Sequence, residues 1–303
     1  MMRALRERRW QQIALTLATI FLTGAILAAL LYSEREVLLA YDWDLKWRNL
    51  LIAMGALIVG MILAAYTWGD ILRTLGSRVP VGLHMRYYAL SQLARRLPGT
   101  VWYVAGRGVL YRRHGDPVRL IGIASGLELI INVVSGALMT LALTGYVLAD
   151  LPRYYLVGLT AAAGVGMIAM HPRVIQALLT RFGLPEAPAI PYLRLIRWLT
   201  QYLALWLVGG IVLYLVADAV YPLDVESLPY VIGSFSLVGT LSVLVFVLPS
   251  NFGFTEVGLS LLLSAIMPSS FAVLIAVLNR ILLLLYEVIG LGLITFIWRD
   301  EEA

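Results

Sequence analysis

Apolar runs of span length follow one another along the chain at residues 13–32, 50–66, 120–148, 154–170, 198–216 and 271–297, separated by short polar stretches. About 20 apolar residues in helical conformation cross a bilayer, so these six runs predict six transmembrane helices. The first run is longer than a secretory h-region and lacks a small-residue cleavage site, so it is expected to remain as an uncleaved first helix. Two further apolar stretches, 82–113 and 230–266, behave differently because each is cut in its middle. The cuts are Leu97-Pro98-Gly99 and Pro249-Ser250-Asn251 with Gly253. Proline removes a backbone donor and glycine relaxes the chain, so no helix runs unbroken through Pro98 or Pro249. Lipid cannot satisfy the backbone groups that such breaks free, so they survive only against protein or a watery cavity. The expected form is a re-entrant hairpin at each break. For residues 230–248, a complete crossing is the other arrangement that their 19 mostly apolar positions allow, and it would carry the C-terminus to the opposite side.

Each interrupted stretch lies between two spans, giving one unit over 50–148 and a second over 198–297. The order of elements is the same and the direction of travel opposite. The expected fold is therefore an all-α polytopic membrane protein, a single domain over 1–303. It has about six transmembrane helices plus two re-entrant helical hairpins in an inverted repeat. The prolines at 98 and 249 should then lie near the pseudo-twofold axis.

Composition agrees: 61% of the 303 residues are apolar and 14% charged, far from a soluble average. With no cysteine, disulfides, thiolate metal sites and cysteine nucleophiles are excluded, and His84, His114 and His171 lack metal-ligand spacing. No metal or cofactor is expected. Of the 23 lysines and arginines, one is lysine, Lys46, and their distribution sets topology rather than nucleic-acid binding. In the hairpin arrangement 18 of them fall on one side and four on the other, with Arg280 within the membrane. That bias predicts a multi-pass protein of the cell membrane with both termini cytoplasmic. Residues 173–183 have the spacing of a short amphipathic helix at the interface.

The chemistry is expected at the breaks. In each hairpin the returning helix starts there, near Thr100 and Thr255, so its free amides and positive dipole end face inward. Phosphate suits two such ends, and Gly99, Asn251 and Gly253 bring backbone close to it, with Arg107 about two turns beyond the first break. Arg95 and Arg96 are read as topology determinants. Glu128, Glu256, Arg280 and Glu287 fall inside apolar runs, where each ionised side chain costs on the order of 3 kcal/mol. Pairing must offset that cost, and Arg280 is expected to pair with Glu256 or Glu128; these four are the candidates for gating or coupling. Glu256 also sits where a helix dipole alone favours an acid. Asp42 and Asp44 form an acidic pair in the first outer loop, the feature with which a membrane glycosyltransferase would hold a metal and a lipid-linked sugar. That enzymatic reading is the alternative, with a non-catalytic membrane scaffold as a third.

The motifs LPSNFGFTEVG at 248–258 and LPGTVWYVAGR at 97–107, with Glu128 and Arg280, resemble the lysylphosphatidylglycerol synthase transmembrane-region family, the flippase-like membrane domain of MprF-type proteins, in its stand-alone form. The likeness runs over nearly the whole chain. Many members carry Gly-Glu soon after the first proline and glycine, where this chain has Val101 and Trp102, so a carboxylate ligand there is not carried over. The resemblance implies a non-enzymatic transporter that moves an anionic or aminoacylated phospholipid, or a polyprenyl-linked sugar, between leaflets. The partners it implies are that lipid and a lipid-modifying enzyme.

Overall fold

Helices α2 (Trp47–Thr74) and α9 (Tyr192–Val220) form the centre of the molecule and pack against each other along their length. Lys46 Nζ lies 2.8 Å from Asp218 Oδ1 at one end, Gly60 faces Leu205 and Val208 midway, and Arg194 Nη1 lies 2.9 Å from Asp70 Oδ1 at the other end. The two helices are therefore antiparallel. In lipid no hydrophobic force draws them together, so the small residue at the crossing, which allows close van der Waals contact, and the polar pairs at the ends carry the association.

This computed structural model describes residues 35–94, 101–147, 153–183, 189–244 and 253–297, with isolated positions between 25 and 32. Most of the predicted first span, Leu97-Pro98-Gly99, Pro249-Ser250-Asn251 and the last six residues lie outside the described residues. Within them every element is helical. The remaining helices are α1 (Arg35–Ala40), α3 (Val81–Ala94), α4 (Val101–Arg112), α5 (Val118–Ala142), α6 (Thr144–Val147), α7 (Arg153–Ala169), α8 (Pro172–Arg181), α10 (Leu228–Leu244), α11 (Phe254–Leu263) and α12 (Ser269–Ile297). By length and composition α2, α5, α9, α12 and the stretch Val225–Leu244 can each cross a membrane, and α7 with α8 makes a sixth candidate bent by 65°. The protein is thus a polytopic, all-α membrane protein.

After α2, helix α3 runs in and α4 runs back beside it: His84 meets Tyr111, Tyr87 meets His114 and Ser91 meets Arg107. Ser77 donates to Asp116 Oδ2 at 2.5 Å and closes the mouth of this hairpin. After α9, helices α10 and α11 repeat the arrangement, with Gly258 against Val238 and Tyr230 donating to the Leu262 carbonyl at 2.7 Å. Because α11 comes back to the level at which α10 began, the two helices form a helical hairpin, and Val225–Leu244 within it is long and apolar enough to cross a membrane. Each mouth follows the C-terminus of α2 or α9, and those ends point in opposite directions. The two hairpins consequently open toward opposite ends of the molecule.

The packing pairs obey the same twofold relation. Contacts α2–α3, α3–α4 and α4–α5 match α9–α10, α10–α11 and α11–α12, and α3–α12 matches α10–α5. The apolar interior divides likewise. One cluster joins α3, α4 and α5 to the Asp70 half of the central pair, and another joins α10, α11 and α12 to the Asp218 half.

Helix α7 lies outside this core, with only Leu159 and Ala163 buried. Small residues of α7 allow close contact at Ala163 and at Gly166, which faces Val134, whereas Gly164 has open space beside it. The amphipathic helix expected at 173–183 is α8, with Ile175 and Leu179 buried. His171 caps it, its ring nitrogen accepting the Arg173 N–H at 3.2 Å. Both central helices run further than the apolar runs 50–66 and 198–216, since Asp70 and Asp218 form part of the last turns of α2 and α9.

Candidate functional site

Arg107 sits on the returning helix α4 and is fully buried. Its Nη1 lies 2.5 Å from Glu128 Oε2 on α5 and its Nε donates to Ser91 Oγ on α3 at 2.8 Å. The guanidinium stacks 3.9 Å from the Trp68 ring centroid on α2 and 5.0 Å from that of Tyr88 on α3. From α9, the Tyr202 hydroxyl donates to the other Glu128 oxygen at 3.1 Å. Five helices thus enclose a single ion pair. Arginine suits this position because its planar, weakly hydrated cation both forks onto a carboxylate and stacks on aromatic faces. Beyond it a polar chain continues: Trp68 Nε1 donates to Tyr111 Oη at 2.9 Å, and that oxygen lies 2.9 Å from His84 Nδ1.

The second unit carries a pair on the equivalent elements with the charges exchanged. Glu256 is on the returning helix α11 and Arg280 on the long helix α12, with Nε and Oε1 3.4 Å apart. Of the two partners expected for Arg280, Glu256 is the one it meets, and Glu128 is taken by Arg107. Glu256 Oε2 also accepts the Gly253 N–H at 2.7 Å, so the acid caps its own helix as the dipole argument anticipated. Gly253 has φ +96°, a conformation in which a side chain would be strained, which accounts for glycine at the start of α11. Thr255 follows it, half-buried. Glu287 is buried two turns beyond Arg280 on α12. Pro98, Gly99, Thr100, Pro249 and Asn251 lie outside the described residues.

The structure therefore brings together Arg107 with Glu128 and Glu256 with Arg280. Sequence reasoning missed Trp68, Tyr88, Ser91 and Tyr202, which complete the first pair. Aromatic residues near the ends of apolar runs ordinarily read as interface anchors, so Trp68 carried no separate signal. Asp42 and Asp44 are both exposed in the loop before α2, and no group of three or more His, Asp or Glu able to hold a metal occurs among the described residues.

No family model matches the chain, and no curated protein matches it.

Proposed function

We propose that this protein moves an anionic-headgroup lipid, such as an aminoacylated phospholipid or a polyprenyl-linked sugar, between the leaflets of the cell membrane. The observation that carries this reading is the pair of hairpins entering from opposite ends, each with one member of a buried ion pair on its returning helix. Half-helices whose N-termini start within the membrane are built to receive an anion, and opposed repeats are the architecture in which one site meets either side in turn. In this reading Thr100, Thr255 and the backbone at Gly99, Asn251 and Gly253 receive the phosphate. Arg107, held by Glu128, lends its positive charge to that site, while Arg280 with Glu256 loosens and re-forms as the headgroup passes, and Glu287 on α12 belongs to the same gate. The resemblance of 97–107 and 248–258 to flippase-like membrane domains agrees with it. In this reading the arginine-rich Asp70 end faces the cytoplasm, and the positive-inside bias of the sequence favours both termini on that side.

The test is reconstitution into vesicles with fluorescent phospholipids and a membrane-impermeant quencher that reports leaflet exchange. Wild type should accelerate exchange above empty vesicles, and Arg280→Ala should return it toward that level. If wild type and Arg280→Ala exchange lipid equally slowly, transport through this site is wrong.

A further inference from the structure

The clasps at the two ends of the α2/α9 pair are built on equivalent residues but do not balance. Asp218 holds Lys46 Nζ at 2.8 Å and Asn49 Nδ2 at 2.7 Å, one cation for one carboxylate. At the other end Asp70 holds Arg194 at 2.9 Å and Arg197, with Arg73 Nη2 4.0 Å away. Its second oxygen also accepts Trp198 Nε1 at 2.6 Å. Moving 148 positions along the chain carries Lys46, Asn49 and Asp70 onto Arg194, Arg197 and Asp218. The Asp218 clasp shows that one cation and one amide suffice to join these helices. The Asp70 clasp has three guanidiniums around one carboxylate, a surplus of two positive charges that the joint does not need.

These arginines face outward. Their side chains are 37%, 43% and 45% exposed for Arg73, Arg194 and Arg197. Apart from the Asp70 contacts, Arg194 uses one donor on Thr74 Oγ1 and Arg73 one on the Gly69 carbonyl. A guanidinium has five N–H groups, so most of the fifteen take no other hydrogen-bond partner among the described residues. Toward the membrane interior the same face of α2 continues as Tyr66, Ile62 and Val59, all exposed, with Arg73 5.9 Å from the Tyr66 ring. On α9 exposed Leu193 and Ile196 lie beside Arg194 and Arg197. Cations at headgroup level above an uncovered apolar stripe match the two ends of one molecule, a phosphate and its acyl chain.

We infer that Arg73, Arg194 and Arg197 form a binding site for one anionic phospholipid at the outer surface of the α2/α9 joint, separate from the pathway between the hairpins. A soluble phosphate shares the headgroup chemistry but gains nothing from the stripe. Each arginine near an anionic surface contributes about a factor of five in binding.

Native mass spectrometry of the purified full chain titrated with phosphatidylglycerol or phosphatidylcholine tests this. Wild type should retain one phosphatidylglycerol in preference to phosphatidylcholine. Arg73→Gln, which leaves the close Asp70 pairs in place, should bind it about fivefold more weakly, and Arg194→Gln/Arg197→Gln about 25-fold. Lys46→Gln, at the balanced clasp, should keep the wild-type preference. Unchanged preference in both arginine variants overturns the site. Loss of the preference in Lys46→Gln to the same degree as in the arginine variants overturns it too, because the effect would then be one of overall charge. Displacement of the lipid by glycerol phosphate at equal concentration overturns the lipid assignment in favour of a free phosphate.

Discussion

The first unit closes its buried ion pair and the second leaves its own loose. Arg107 has no exposed surface, two aromatic faces and a carboxylate whose second oxygen is held by Tyr202. The Arg280 side chain keeps 17% exposure, its closest approach to Glu256 is 3.4 Å, and Glu256 divides itself between that arginine and its own helix cap. The repeat thus preserves a pair between the returning helix and the last long helix while exchanging its sign and its tightness. Exchange of sign has a physical consequence. With like signs both returning helices would carry the same charge into a medium of low dielectric, whereas here α4 brings a cation and α11 an anion. The ion pair of the first hairpin is the closer and more fully enclosed of the two.

The largest expected effect follows from that contrast. Removing one partner of an enclosed pair strands the other as an uncompensated charge, at about 3–5 kcal/mol. Glu128→Ala should therefore lower the melting temperature in detergent far more than Glu256→Ala. The latter should cost about 1–2 kcal/mol, as for a hydrogen bond and a looser ionic contact together. Comparable losses in thermal melts followed by tryptophan fluorescence would remove the energetic distinction between the two pairs.

A second, smaller contrast concerns how closely each hairpin approaches its central helix. A Cβ on Gly69 would meet the His84 side chain at 3.1 Å, and one on Gly210 would meet the Ile232 Cα at 2.6 Å. A side chain yields by a few tenths of an ångström, but backbone does not. Gly210→Ala should cost about 1–3 kcal/mol by forcing α9 and α10 apart, and Gly69→Ala about 1 kcal/mol or less. Melting of the two variants side by side measures it, and the order should not invert.

Much of this architecture was legible because the bilayer imposes one requirement on every segment. Backbone groups must be paired within helices, so apolar length marks the spans, and prolines 98 and 249 mark where a helix ends. The outer ends of α3, α4, α10 and α11 fall close to those expected, at Val81, Arg112, Leu228 and Leu263, while the two prolines themselves lie outside the described residues. Charged residues at helix ends were harder. Asp70 and Asp218 ended the apolar runs by hydropathy, yet both remain helical because cations from the facing helix offset their burial. That compensation comes from residues more than a hundred positions away, so no local window contains it. The Arg107–Glu128 pair was invisible for the same reason: both residues were singled out, but which carboxylate met which arginine depended on how the two units pack. Tyr202 and Trp68 look like ordinary apolar positions until the arginine between them is in place.

The end clasps supply the smallest contrast and the finest test of the twofold relation. Asp70 is buried, and Asp70→Asn would leave Arg194, Arg197 and Trp198 with a neutral partner, at about 1–2 kcal/mol after allowance for the half-exposed arginines. Lys46→Gln attacks the equivalent joint from its cationic side. The Lys46 side chain is 44% exposed, and without it Asp218 keeps Asn49 and the Leu223 N–H, the latter at 3.1 Å. An exposed pair of this kind is worth about 0–1 kcal/mol and is screened by salt. Lys46→Gln should accordingly shift the melting temperature only slightly, and less at high ionic strength than at low. Asp70→Asn should keep most of its effect in salt, because Trp198 and the burial of the carboxylate do not depend on screening. If the two variants lost the same stability with the same salt dependence, the clasps would be equal in strength, and three guanidiniums at one end would be doing the mechanical work that a single lysine does at the other.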